Sequence, residues 1–94
     1  MNEQDIAAYL ATQYPVPIKS LTWRHDAYSF RGVAILDTSG AIKDHAEIHA
    51  GIVASKDLSD DDLKFQLGHS VDGAKDMIAR LIAEKGMPES KAGA

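Results

Sequence analysis

The sequence predicts an α+β two-layer sandwich, in which an antiparallel sheet carries an N-terminal and a C-terminal helix on one face, in the order α-β-β-β-(β)-α. Three observations lead there. Apolar residues recur at helical spacing near both ends of the chain, and the stretch between is rich in β-branched and aromatic residues. Asp37-Thr38-Ser39-Gly40 then supplies a concentrated turn signal in the middle. An amphipathic helix needs an apolar surface, and one face of an antiparallel sheet provides it.

The first helix is expected to start at Asn2, which can cap it, with Glu3 and Asp5 in the first turn and Ile6, Leu10 and Tyr14 at four-residue spacing. Pro15 and Pro17 end it. From Ile18 to His25 the pattern alternates weakly, Leu21 and Trp23 on one side and Ser20, Thr22 and Arg24 on the other, with Trp23 expected as a core anchor. His25-Asp26-Ala27 reads as a turn, Tyr28 to Leu36 as the second strand and Ala41 to Ile52 as its return.

A polar connection occupies residues 55–62. Ser59 and Asp62 can cap a short helical turn, but Leu63-Lys64-Phe65-Gln66-Leu67 alternates, which makes the sheet three-stranded, or four-stranded if this segment joins it. After Gly68 and His69 the clearest helix follows, capped by Ser70, with Val71, Ala74, Met77, Ile78, Leu81 and Ile82 as one apolar stripe. Gly73 is expected to let this helix pack closely on the sheet. Lys85, Gly86 and Pro88 mark the helix end. Residues 1–86 thus form a single α+β domain, and 87–94 are expected to be a flexible C-terminal tail.

Composition narrows the function classes. A net charge of −4, with ten basic residues scattered along the chain, disfavours nucleic acid as a partner. The chain has no cysteine, which removes disulfides, thiolate metal sites and cysteine nucleophiles. Met1-Asn2-Glu3-Gln4-Asp5 opens acidic and polar, unlike a secretory signal, and no apolar run approaches the roughly 20 residues that span a bilayer. The expectation is a cytoplasmic protein with no membrane partner.

Potential chemistry concentrates at Asp44–Ile52. Along an extended strand, His45, Glu47 and His49 share one face while Ala46, Ile48, Ala50 and Ile52 share the other. The imidazoles of His45 and His49 are candidate metal ligands. Their spacing is not the helical His-Glu-x-x-His arrangement, however, and alternate side chains on a strand stand nearly 7 Å apart, so a third ligand would have to come from elsewhere. Histidine can also act in acid–base catalysis, but no oxyanion donor or Gly-x-Ser-x-Gly elbow accompanies Ser29, His49 and Asp44. No catalytic residue and no cofactor is assigned. His25 and His69 fall at expected element ends. Asp60-Asp61-Asp62 lacks the calcium-loop spacing, and the glycines do not form a Gly-x-Gly-x-x-Gly phosphate loop.

An even-length connection between Leu36 and Ala41 places Val33 and Ile35 with Ala46 and Ile48, and Tyr28, Phe30, Gly32 and Ala34 with the histidines; an odd length or a bulge reverses this. The even reading puts β-branched residues in the core and leaves Arg31 on the inner face. Tyr28, Phe30, His45, Glu47 and His49 then form a mixed aromatic and polar binding surface, the composition protein interfaces favour. The expected function is a small non-enzymatic protein-interaction or regulatory module using an open sheet face, pairing with another protein or with itself as a homodimer. The alternative is a small metal-assisted or His-dependent enzyme, or a ligand-binding domain, centred on His45, Glu47 and His49.

The element order resembles the helix–three strands–helix topology of double-stranded RNA-binding domains. Those domains place a lysine cluster at the start of the last helix, whereas Ser70-Val71-Asp72-Gly73-Ala74-Lys75-Asp76 offers one lysine between two aspartates. The resemblance covers topology and not the phosphate-binding residues.

Overall fold

Asn2 closes the N-terminus of α1 (Glu3–Gln13) with a capping box in the computed structural model, which describes residues 1–89. Its side chain accepts from the Asp5 N–H at 2.8 Å, and the Asp5 carboxylate accepts from the Asn2 N–H at 3.0 Å. At the other end Tyr14, held extended ahead of Pro15, donates its N–H to the Leu10 carbonyl. Ile6 and Leu10 face inward and are fully buried.

Strands β1 (Ile18–Arg24), β2 (Ser29–Asp37) and β3 (Glu47–Ser55) follow as one antiparallel sheet in the order β1-β2-β3. The β1–β2 turn is held by Asp26, whose carboxylate accepts from the N–H groups of Tyr28 (2.8 Å) and Ser29 (3.0 Å). Helix α2 (Asp60–Lys85) completes the α-β-β-β-α order. Both helices contribute to a core under one sheet face: Phe30, Ala34 and Leu36 from β2, Ile48, Ala50, Ile52 and Ala54 from β3, and Leu63, Leu67, Val71, Ala74 and Ile78 from α2. The α+β two-layer sandwich is therefore the fold. Residues 90–94 of the tail expected at 87–94 lie outside the described residues. Among the described residues no helix is long and apolar enough to cross a membrane.

Three expectations are corrected. Residues 63–67 are not a fourth strand but the opening of α2, capped by Ser59, whose hydroxyl accepts from the Asp62 N–H at 3.3 Å. Leu63 and Leu67 are buried as one helical stripe while Phe65 between them is 71% exposed, which an alternating strand cannot do. Gly68, His69 and Ser70 consequently lie inside the helix, and its 26 residues make it about 39 Å long. The returning strand begins at Glu47 and not Ala41, because Thr38 draws the chain into a turn: its carbonyl accepts from Ala41 and Ile42, and Asp44 adopts a left-handed φ of 52°.

The third correction is the register. The connection 38–46 has an odd number of residues, and His49 pairs with Ile35, Ala50 with Ala34 and Ile52 with Gly32. Phe30, Gly32, Ala34 and Leu36 therefore share the apolar face with Ile48, Ala50 and Ile52, while Arg31, Val33 and Ile35 point outward. The arginine that the even register buries is thus on the solvent side.

Trp23 of β1 pairs with Gly32 and lies partly buried against the core. A Cβ at Gly32 would stand 2.8 Å from both the Thr22 carbonyl oxygen and Trp23 Cε3, so glycine is needed for the indole and the β1 backbone to approach β2 this closely. The indole meets Phe30 edge-on, with ring centroids 6.3 Å apart.

Candidate functional site: the open face of the sheet

The helices cover one side of the sheet, which leaves the other side as a surface built from alternate residues of all three strands. Its centre is apolar. Val33 is 39% exposed and Val53 54%, and Ile35 lies half-buried beside Val33. Val33 pairs with Thr22 on one side and Gly51 on the other, so nothing bulky from β3 stands between Val33 and solvent.

The rim is charged and in large part internally paired, although Arg24, across from Arg31, has no ionic partner among the described residues. Lys19 reaches Glu47 at 2.9 Å, and the second Glu47 oxygen lies 3.0 Å from His49 Nε2. The hydrogen bond from Lys19, followed by that with His49, holds the Glu47 carboxyl below the ordinary glutamate range, and Glu47 in turn raises the Lys19 ammonium. At the opposite end Arg31 Nε lies 3.3 Å from the Asp26 carboxylate. The two Asp26-directed N–H groups hold that carboxyl low. Asp37 is lowered in the same way by the Ser39 hydroxyl, which donates at 2.6 Å, and by the Ser39 N–H.

Of the five residues expected to form a binding surface, the structure brings two together here. Glu47 and His49 are neighbours on the open face, and both are in contact with water. His45 is not beside them. It precedes β3, and its Nδ1 shares a 2.6 Å hydrogen bond with the hydroxyl of the buried Thr38. Phe30 is only 9% exposed and belongs to the inner face. Tyr28 is 82% exposed but sits in the β1–β2 turn, at the end of the sheet. The proposed pairing of Tyr28 and Phe30 with the histidines fails for one reason, the odd parity of residues 38–46. His45 and His49 likewise do not face one another as ligands, and among the described residues no group of three or more His, Asp or Glu side chains is placed to hold a metal ion.

The residues that replace them are Val33, Ile35, Val53 and Lys19. Val53 is legible in the sequence as the continuation of the Glu47/His49/Gly51 alternation. Val33 and Ile35 are not, since their face depends on the register. Comparison with protein-family models, curated proteins and solved structures returns no match, so the site is interpreted from its own geometry.

Proposed function

We propose that this protein is a cytoplasmic interaction module that captures a partner polypeptide across the open face of its sheet. One observation carries the reading: an apolar centre of Val33, Ile35 and Val53, exposed to water and enclosed by the Lys19–Glu47–His49 and Arg31–Asp26 pairs. An apolar middle with a polar rim is the anatomy of a recognition surface. Because Lys19, Glu47, Arg31 and Asp26 already satisfy one another, a docking partner that leaves Arg24 at the solvent edge buries no unpaired charge.

The test is capture with immobilised protein, wild type against Val33→Lys/Val53→Lys, followed by a binding isotherm for whatever the wild type retains. Both side chains point to solvent, so the variant keeps its fold while losing the apolar centre. A partner whose Kd rises by about tenfold or more supports the proposal. A partner retained equally by both forms removes it.

A further inference from the structure

The charges of the open face are sorted by sign along the strands. Arg24 stands directly across from Arg31 at one end, and Asp37 directly across from Glu47 at the other. Like charges in facing positions destabilise a sheet, and each pair has one counter-charge close by. Asp26 lies 3.3 Å from Arg31, while Lys19 lies 2.9 Å from Glu47 and also attracts Asp37. Two guanidinium groups thus share one carboxylate at the first end, and two carboxylates share one ammonium at the second. His49 bonds Glu47 as well, but in its neutral form it brings no charge. Each end keeps one surplus charge, positive at Arg24 and Arg31 and negative at Asp37 and Glu47.

The two surpluses are placed evenly about the apolar centre. Arg31 and Asp37 are six residues apart on β2, about 20 Å at the rise of a strand. The midpoint between them is Ala34, which faces the core, and Val33 and Ile35 flank that midpoint on the open face. Turning the face end over end about this point exchanges Arg31 with Asp37 and Val33 with Ile35.

The open face is also a side that two copies can bring together without repulsion. With its rim it carries three basic residues, Lys19, Arg24 and Arg31, and three acidic ones, Asp26, Asp37 and Glu47. The loops at its two ends add matched charges, Lys56 with Asp57 and Lys43 with Asp44. Helices α1 and α2, on the opposite side, carry eight acidic and four basic residues, a balance equal to the −4 of the whole chain. Stacking open face on open face keeps that negative charge on the two outer sides.

We propose that the polypeptide captured across the open face is a second copy of this chain, stacked sheet on sheet about a two-fold axis that crosses the strands between Val33 and Ile35. This pairing rests on the open-face reading above and names its partner. Inversion sets the Arg24–Arg31 end of each copy over the Asp37–Glu47 end of the other, so both surpluses are neutralised at once. It also packs Val33 against the partner's Ile35. Sheets stacked face to face stand about 10 Å apart, a gap that side chains from both fill. Lys19 does not obstruct the contact, because its ammonium lies across the sheet at Glu47 of β3. A different chain would have to repeat both surpluses at the same spacing, which the inverted copy supplies by symmetry.

Sedimentation of the full chain over a concentration series tests the pairing, with circular dichroism confirming the fold of each variant. Wild type is expected at twice the 10.2 kDa chain mass. Arg24→Glu makes both ends acidic and Glu47→Lys makes both ends basic, so each variant alone dimerises about tenfold more weakly or worse. An equimolar mixture of the two restores a dimer, because an acidic end then meets a basic end at both contacts. Val33→Lys/Val53→Lys yields monomer. Gly73 of α2 does not serve close packing on the sheet, contrary to the sequence expectation, since a Cβ there would meet no atom within 4 Å. Gly73→Arg therefore keeps the fold and, lying on the helical side, leaves the dimer intact. Wild type that remains monomeric to about 100 μM overturns the pairing, and a different chain captured by that monomer leaves the open-face reading standing without it. A dimer that survives Val33→Lys/Val53→Lys, or a mixture that restores nothing, also overturns the pairing.

Discussion

His49 stands directly across from Ile35 in the β2–β3 ladder, and this pairing determines what both faces of the sheet present. It aligns Leu36 with Ile48 on the inner side and leaves Val33 opposite Gly51 on the outer. Stability should report the difference. Leu36→Ala removes a fully buried side chain from the core and is expected to cost about 2–5 kcal/mol. Val33→Ala, three residues away on the solvent side, should cost no more than about 1 kcal/mol. Urea unfolding of the two variants checks this, and a larger cost at Val33 would place β2 in the opposite register.

Gly32→Ala tests the contact between β1 and β2. The new methyl would collide with the Thr22 carbonyl and with Trp23, and the backbone side of that contact cannot rotate away. Overpacking of this kind is expected to cost about 1–3 kcal/mol. Trp23 is the only tryptophan in the chain, so its fluorescence should shift in the folded variant as the indole is displaced.

Tyr14 offers a change in the opposite direction. Its ring is buried at the end of α1, its hydroxyl has no hydrogen-bond partner among the described residues, and burial raises its pKa. Tyr14→Phe keeps the packing and removes the unpaired group. The expected outcome is a thermal midpoint unchanged or raised, corresponding to a gain of up to about 1 kcal/mol. A loss of more than that in calorimetry would mean that the hydroxyl is paired in solution.

Such local effects are the part of the fold most legible in sequence. The bounds of α1 follow from Asn2, Asp5 and Pro15, whose chemistry acts within a few residues. The common face of Ile48, Ala50 and Ile52 follows from strand geometry alone. The partners of that face on β2 do not, because they depend on the turn at Thr38, the left-handed Asp44 and the Thr38–His45 hydrogen bond, none of which has a periodic signature. The opening of α2 is ambiguous for a different reason. Leu63, Phe65 and Leu67 satisfy a two-residue period, while Leu63 and Leu67 equally satisfy a helical one, and only the exposure of Phe65 separates them. The candidate site inherits both limits: Glu47 and His49 are legible as neighbours, and the apolar centre they border is not.

The rim charges predict how stability depends on pH. Asp26, Asp37 and Glu47 are all held below their ordinary pKa values by folded-state hydrogen bonds, so each binds its proton more weakly folded than unfolded. Their contribution is complete above the unfolded carboxylate range, about pH 4, and is lost as pH falls through the lower folded values. Lys19 is shifted upward, chiefly by its hydrogen bond to Glu47, so its contribution is complete below the unfolded value and disappears as pH rises through the folded one. Glu47→Gln should therefore flatten both the acid and the alkaline limb of a plot of urea midpoint against pH. Asp26→Asn should flatten the acid limb alone, since its carboxylate is held by the Tyr28 and Ser29 N–H groups and not by a lysine. Because Lys19 and Glu47 are both in contact with water, raising the salt concentration should shrink the alkaline effect. An alkaline limb that Glu47→Gln leaves unchanged would show that Lys19 is not paired across β1 and β3 in solution.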